Sequence, residues 1–245
     1  MANDGIPVSA RGAAAQSARL DLAAQNLANV ATPGYRGERT GFRARFLAAL
    51  GRLGSPEPDR SRFDETPGPL EDTRRPLDLA LRSRGFFTVR DLDTGGLFYT
   101  RNGGFTLDSQ GRLVTADGRC EVLDADGAGL VLEPGRMDTV RVAPDGTLSQ
   151  NGEAIGQLGV VDFQGPGTLE RHGRTLYAAA GGATPSVSAE ARVDQGVLEG
   201  SSVDPLSSTV EMMRALRALE SNLQMVRFQD AVLERTVNEY GRWPR

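Results

Sequence analysis

Apolar residues recur in alternating steps of three and four near the C-terminus. They are Met212, Leu216, Leu219, Leu223, Val226, Leu233, Val237 and Tyr240, with Thr209 and Asp230 in phase as polar interruptions. That rhythm predicts one long amphipathic helix. Asp204-Pro205 offers a capping carboxylate followed by proline at the first helical position, and Glu211 to Glu239 runs without Gly or Pro. Such a helix spans on the order of 45 Å, longer than the core of a small domain, so part of it needs a partner. The N-terminus carries a shorter seam: Ile6, Ala10, Ala13, Ser17, Leu20, Ala24, Leu27 and Ala31. Good helix formers dominate residues 7–30, and Thr32-Pro33-Gly34 stops the helix. One seam is bulky and the other mostly small, so the two helices can approach closely.

Between the helices the pattern shortens to strands. Candidates are Leu77–Leu81, Gly85–Arg90, Leu97–Arg101, Arg112–Thr115, Glu121–Leu123, Leu130–Leu132, Thr139–Val142, Gly156–Phe163, Thr175–Ala178 and Arg192–Leu198. Turns are expected at Asn102-Gly103, Gln110-Gly111, Asp117-Gly118, Asp126-Gly127, Asp145-Gly146 and Asn151-Gly152. Asn-Gly and Asp-Gly supply the positive φ of tight hairpins, and no helical pattern interrupts the run, so a β meander is expected. Residues 36–76 read as a connector, with a short helix over Phe42–Leu53 ended by Ser55-Pro56-Glu57-Pro58-Asp59 and Thr66-Pro67-Gly68-Pro69. The expected fold class is α+β: a mainly antiparallel β central domain at 77–200, flanked by helical segments at 1–35 and 201–245. The two helices are expected to form a coiled-coil-like terminal domain.

Composition narrows the function. The 245 residues are mildly acidic, with a formal charge of −4, and every basic side chain but His172 is arginine. No basic surface argues for nucleic acid. Cys120 is the single cysteine and His172 the single histidine, whereas a zinc site needs several such ligands and a Cys–His dyad needs a close pair. His172 reads as an exposed residue in the turn-like Glu170-Arg171-His172-Gly173. No stretch approaches the ~18 apolar residues of a membrane span, so no lipid insertion is expected. Met1 to Ile6 lacks a basic region followed by an apolar run. Residence in the cytoplasm, or export by a route that reads an uncleaved and unfolded N-terminus, is therefore expected.

Chemical motifs weigh less than their structural readings. Asp124-Ala125-Asp126-Gly127 has the opening of a calcium loop, but Gly135 stands where the bidentate glutamate is needed, so a hairpin turn is favoured. Gly95-Gly96 and Gly103-Gly104 lack the strand–helix context of a phosphate loop. Glu65, Glu71, Asp72 and Asp78 read as solvated carboxylates rather than a hydrolytic pair. No cofactor or metal is expected.

Asn26-Leu27-Ala28-Asn29-Val30-Ala31-Thr32-Pro33-Gly34-Tyr35-Arg36 closely resembles the N-terminal signature of bacterial flagellar rod and hook proteins. Gly85-Phe86-Phe87-Thr88-Val89 and Tyr99-Thr100-Arg101-Asn102-Gly103-Gly104-Phe105 resemble the β domain of the rod proteins. Gln195-Gly196-Val197-Leu198-Glu199-Gly200-Ser201-Ser202-Val203 and Val210-Glu211-Met212-Met213 are similar to the lead-in to their C-terminal helix. Two departures stand out: Ser202 where the family usually has Asn, and Leu219 where it has an aromatic.

The resemblance implies a structural, non-enzymatic subunit of the basal-body rod. It implies export through the flagellar type III apparatus and polymerisation with itself and other axial proteins. The terminal helices would form an inner tube and the β domain would face outward. The Thr-Pro-Gly stop and the length look most like the proximal rod protein, with a distal rod or hook subunit as competitor. An assembly interface is expected at Ile6, Ala13, Leu20, Leu27, Asn26, Asn29, Thr32, Gly34 and Tyr35. Met212, Leu216, Leu219, Leu223, Val226, Leu233 and Val237 would complete it. A reading from another class is a β-rich carbohydrate-binding or hydrolytic domain with a helical oligomerisation tail.

Overall fold

The computed structural model describes residues 5–39, 62–63, 66–163, 168–188 and 191–240. The expected helix at Phe42–Leu53 lies outside them. Two helices are described, α1 (Gly5–Ala28) and α2 (Pro205–Tyr240). The 36 residues of α2 give a rod of roughly 54 Å. Asp204 caps it: its carboxylate accepts the Ser207 N–H at 3.0 Å, and its carbonyl accepts the Ser208 N–H at 3.1 Å.

The strands are short. They are β1 (Glu38–Arg39), β2 (Arg62–Phe63), β3 (Leu70–Asp72), β4 (Leu79–Leu81), β5 (Phe86–Asp91), β6 (Leu97–Thr100), β7 (Phe105–Leu107), β8 (Leu113–Thr115) and β9 (Cys120–Val122). Then follow β10 (Arg141–Val142), β11 (Thr147–Gln150), β12 (Glu153–Gln157), β13 (Val160–Asp162), β14 (Leu169–His172), β15 (Leu176–Ala179), β16 (Ser186–Val187), β17 (Val193–Gln195) and β18 (Val197–Glu199). The main sheet runs β14-β15-β6-β5-β9-β8-β7, with β13 bridging β5 and β16. A second sheet, β10-β11-β12, and the pairs β17-β4 and β18-β3 complete the body. Pairing among the described strands is antiparallel.

The chain divides into two compact units. One holds α1, β1, β2 and α2; the other holds residues 29–37 and the β body up to residue 203. The boundaries expected at 35/36 and 76/77 thus fall inside the second unit. Its core gathers Leu79, Leu81, Phe87, Val89, Phe105, Leu113, Val122, Leu148 and Val160, all buried, with Phe87 and Phe105 edge to face at 5.2 Å.

Several expected elements differ in detail, for local reasons. The strand expected at Arg192–Leu198 is two strands, because Gly196 takes φ +77° between β17 and β18. The strand expected at Gly156–Phe163 breaks at Gly159, where a Cβ would lie 2.6 Å from the Asp124 carbonyl oxygen. Leu130–Leu132 makes only an isolated bridge, Val131 to Arg112, and residues 137–139 form a 3-10 turn. Asn102-Gly103 is a close approach instead of a hairpin turn: a Cβ on Gly103 would sit 1.7 Å from the Leu79 carbonyl oxygen. His172 lies at the end of β14, stacked on Phe98 at 4.5 Å, because the turn falls one residue later, at Gly173 with φ +89°.

Candidate assembly surface and segment junction

The helical unit is built on small residues. Gly12 of α1 lies against Asn222 of α2, where an added Cβ would meet the Asn222 Oδ1 at 3.2 Å. Ala23 and Asn26 lie beside Glu211 and Ala215 across a cleft of about 520 Å³, so the helices run antiparallel. The covered positions of α2 are Ser208, Thr209, Met212, Ala215, Ala218, Leu219, Asn222, Val226, Gln229 and Leu233. Most of them follow a three–four repeat, but among the described side chains it shares only Thr209, Met212, Leu219, Val226 and Leu233 with the expected seam. Leu216 and Leu223 are turned outward, 40% and 44% exposed. The close helix contact selects Ser, Ala, Asn and Gln at the alternate positions, which rotates the leucines out. In α1, Ala13 is buried, and Leu20 and Leu27 are half-buried. The side chains of Ile6 and Val237 lie outside the described residues.

The outer face of α2 is apolar. Among the described residues, eight of the fourteen exposed large hydrophobics sit on this helix: Leu206, Val210, Met213, Leu216, Leu223, Met225, Phe228 and Val232. Phe228 is 67% exposed. Concentration on a single helix distinguishes this from the scattered exposed apolar residues of an ordinary surface.

The Asn-to-Arg signature is consumed by hydrogen bonds. Asn26 clasps the backbone of Glu38, donating to its carbonyl at 2.9 Å and accepting its N–H at 3.1 Å, much as a neighbouring strand would. Asn29 accepts the Thr32 N–H on its carbonyl at 3.1 Å and the Thr32 hydroxyl on its side chain at 3.2 Å, which closes the turn after α1. Gly34, at φ +67°, packs on the Arg101-Asn102 backbone, where a Cβ would be 2.3 Å from the Asn102 nitrogen. The Gly34 N–H donates to the Glu199 carbonyl at 2.7 Å. Tyr35 is fully buried, with the Arg171 guanidinium 4.5 Å above its ring. The Tyr35 carbonyl accepts the Ser202 N–H at 3.0 Å, and the Ser202 hydroxyl accepts the Gly37 N–H at 2.9 Å. Residues 34–37 and 199–202 therefore leave the second unit side by side.

Beneath this junction lie three charges that the sequence reading left unassigned. Glu199 pairs with Arg36 at 2.7 Å and with Arg101 at 3.3 Å. Burial pushes the Arg101 guanidinium down to about 10; the Glu199 carboxylate opposes that shift and the Arg36 charge adds to it. The three residues stand in the motifs quoted above, but no local spacing links them. Burial, then the Asp91 and Asp117 carboxylates, pushes the Cys120 thiol up to about 11. Among the described residues no cluster of His, Cys, Asp and Glu could hold a metal, and no helix is long and apolar enough to cross a membrane.

Two of the four chain crossings of the β unit, after residues 37 and 203, follow segments that lie side by side, and the helix pair bears an apolar outer face, as suits a structural subunit. The comparisons agree. Residues 6–36 match the family described as flagella basal body rod protein, residues 80–150 the D1 domain of flagellar hook protein FlgE/F/G, and residues 194–239 the C-terminal part of flagellar basal body rod FlgEFG protein. The flagellar basal-body rod protein FlgF of Caulobacter vibrioides is 33% identical over 84% of this chain and 85% of its own length. FlgG of Bacillus subtilis is 31% identical over 90% and 92%, and FlgF of Salmonella typhimurium 30% identical over 89% and 90%. The chain belongs to the flagellar basal-body rod protein family.

Proposed function

We propose that this subunit polymerises through α1 and the outer face of α2, with itself and with other axial proteins of the flagellum. The carrying observation is the concentration of exposed apolar side chains on α2. Enclosing each Leu, Met, Phe or Val against a neighbour gains up to ~1.5–3 kcal/mol. In the rod, the two helices form the inner, coiled-coil-like tube and the β unit lies outside. The role is mechanical and not enzymatic. Supply is through the flagellar type III export apparatus, without a cleaved signal peptide. We favour the proximal rod position on the Thr-Pro-Gly stop and the chain length, although relatives named FlgF and FlgG are of similar identity. Cross-linking to identified neighbours in purified basal bodies decides between the positions.

Leu223→Asp tests the interface. Leu223 is already 44% exposed, so the aspartate is tolerated in the monomer but meets an apolar partner in the rod. The expected result is a folded, exported subunit that builds no rod and leaves a complemented deletion strain non-motile. Val187→Asp, at a 74% exposed position on β16, is the control and should swim. Normal rods with Leu223→Asp would remove this surface from assembly.

A further inference from the structure

The triad beneath the junction has a role that stability alone does not supply. Arg36, Arg101 and Glu199 side chains are 4%, 6% and 1% exposed. Glu199 Oε1 also accepts the Gly68 N–H at 3.1 Å, and the Arg101 guanidinium donates to the Leu81 and Ser83 carbonyls at 3.1 and 2.8 Å. Two guanidinium cations thus share one buried carboxylate. Apolar side chains in such a place commonly serve stability as well, whereas removing one member of a buried set leaves an uncompensated charge. What charges add is discrimination. If residues 34–37 slipped by one position, Tyr35 or Gly37 would stand at Glu199, and Arg36 would be buried without its carboxylate.

The same slip would take Gly34 off the Asn102 backbone. Gly34 is packed on Asn102, and Gly68 is packed on Gly200, where a Cβ would lie 2.1 Å from the Gly200 carbonyl oxygen. These contacts permit close approach but carry no charge code. The triad supplies one, and it joins stretches 98 residues apart at Arg101 and Glu199.

We propose that Arg36, Glu199 and Arg101 form a register lock. As positioning residues they fix how the N-terminal segment 34–37 lies along 199–202, and so fix where the chain runs on from the β unit into β1 and into α2. The consequence for rod building rests on the assembly reading above; the lock itself is measurable in the free protein. The lock closes only after residues on both sides of the β body are present, so the N-terminal segment cannot dock on its own.

The test uses full-length protein with Glu199→Gln, Arg36→Gln and the double variant. Amide exchange is read at Gly34, Gly37 and Ser202, the three N–H groups that bridge the segments. Glu199→Gln should accelerate exchange at these amides by roughly 100-fold or more and lower the unfolding midpoint by roughly 6–20 °C. The double variant should exchange no faster than Glu199→Gln alone, because both changes open one lock. At a temperature well below the variant's midpoint, Glu199→Gln should be exported and folded yet build few rods. Wild-type protection at the three amides in Glu199→Gln, or strictly additive effects in the double variant, overturns the lock. Rods at wild-type number from a Glu199→Gln subunit whose amides are released overturn its role in positioning. Failure of the assembly reading is distinct: it shows as rods built by Leu223→Asp while the amide results stand.

Discussion

Replacing Gly34 by alanine separates two costs that the signature glycine avoids. The first is conformational: Gly34 takes φ +67°, which costs a residue with a Cβ about 1–2 kcal/mol. The second is steric. The new Cβ would lie 2.3 Å from the Asn102 nitrogen and 2.5 Å from the Arg101 carbonyl carbon. Both are backbone atoms, which cannot swing aside as a side chain would. Overpacking of that kind costs about 1–3 kcal/mol. Alanine also stiffens the unfolded chain, which returns about 0.4–1 kcal/mol. The net expectation is a loss of about 2–4 kcal/mol, or roughly 4–16 °C in the midpoint of a unit this size. Gly118→Ala is the matched control: its φ is +71° but nothing lies within 4 Å of the added Cβ. Calorimetry of the two purified variants therefore isolates the clash. Gly34→Ala should be at least about 1 kcal/mol worse than Gly118→Ala. Equal midpoints would mean that residue 34 does not press on the Asn102 backbone and that the junction is looser than described.

Two further outcomes are expected. Cys120, fully buried with its thiol pushed up to about 11, should resist a maleimide at pH 8 in the native protein and react at once in denaturant. Because the folded thiol ionises above the unfolded one, stability should fall as pH rises from the unfolded value near 9 toward 11; rapid native labelling at pH 8 would contradict its burial. Asp204→Ala should raise amide exchange in the first turn of α2, read by mass spectrometry. The Ser207 N–H holds the Asp204 carboxyl below its ordinary range, so in the wild type the cap is complete above the usual carboxylate range and is lost as pH falls through the lower folded value. First-turn protection that is unchanged by the substitution and by acid would refute the cap.

Much of the architecture was legible because it rests on local signals. Asp204-Pro205 marks the start of α2, Thr32-Pro33-Gly34 ends the N-terminal helix region, and Gly111, Gly118, Gly127 and Gly146 do take positive φ. The covered face of α2 was half legible. A seam chosen by apolarity finds Met212, Leu219, Val226 and Leu233, but it misses Ala215 and Asn222, which are covered because Gly12 brings the helices close. The strands β7, β11 and β14 escaped notice because they are short and partly polar; Leu169-Glu170-Arg171-His172 carries no alternating apolar pattern. The Arg36–Glu199–Arg101 set was illegible for a different reason. Sequence spacing reports neighbours along a helix or strand, and these partners meet only once the β body has closed. The motifs Tyr35-Arg36 and Leu198-Glu199-Gly200 were visible; their pairing was not.

The proposed interface sets the outer face of α2 against neighbouring subunits in the rod. The most direct measurement places a photo-cross-linking amino acid at position 228, and separately at position 187, in motile cells, followed by purification of basal bodies. Position 228, where Phe228 is 67% exposed on α2, should give efficient adducts to axial subunits, while position 187 on β16 should give few. Position 228 yielding no intersubunit adduct in intact rods, while position 187 yields many, would contradict the claim and move the interface to the β unit.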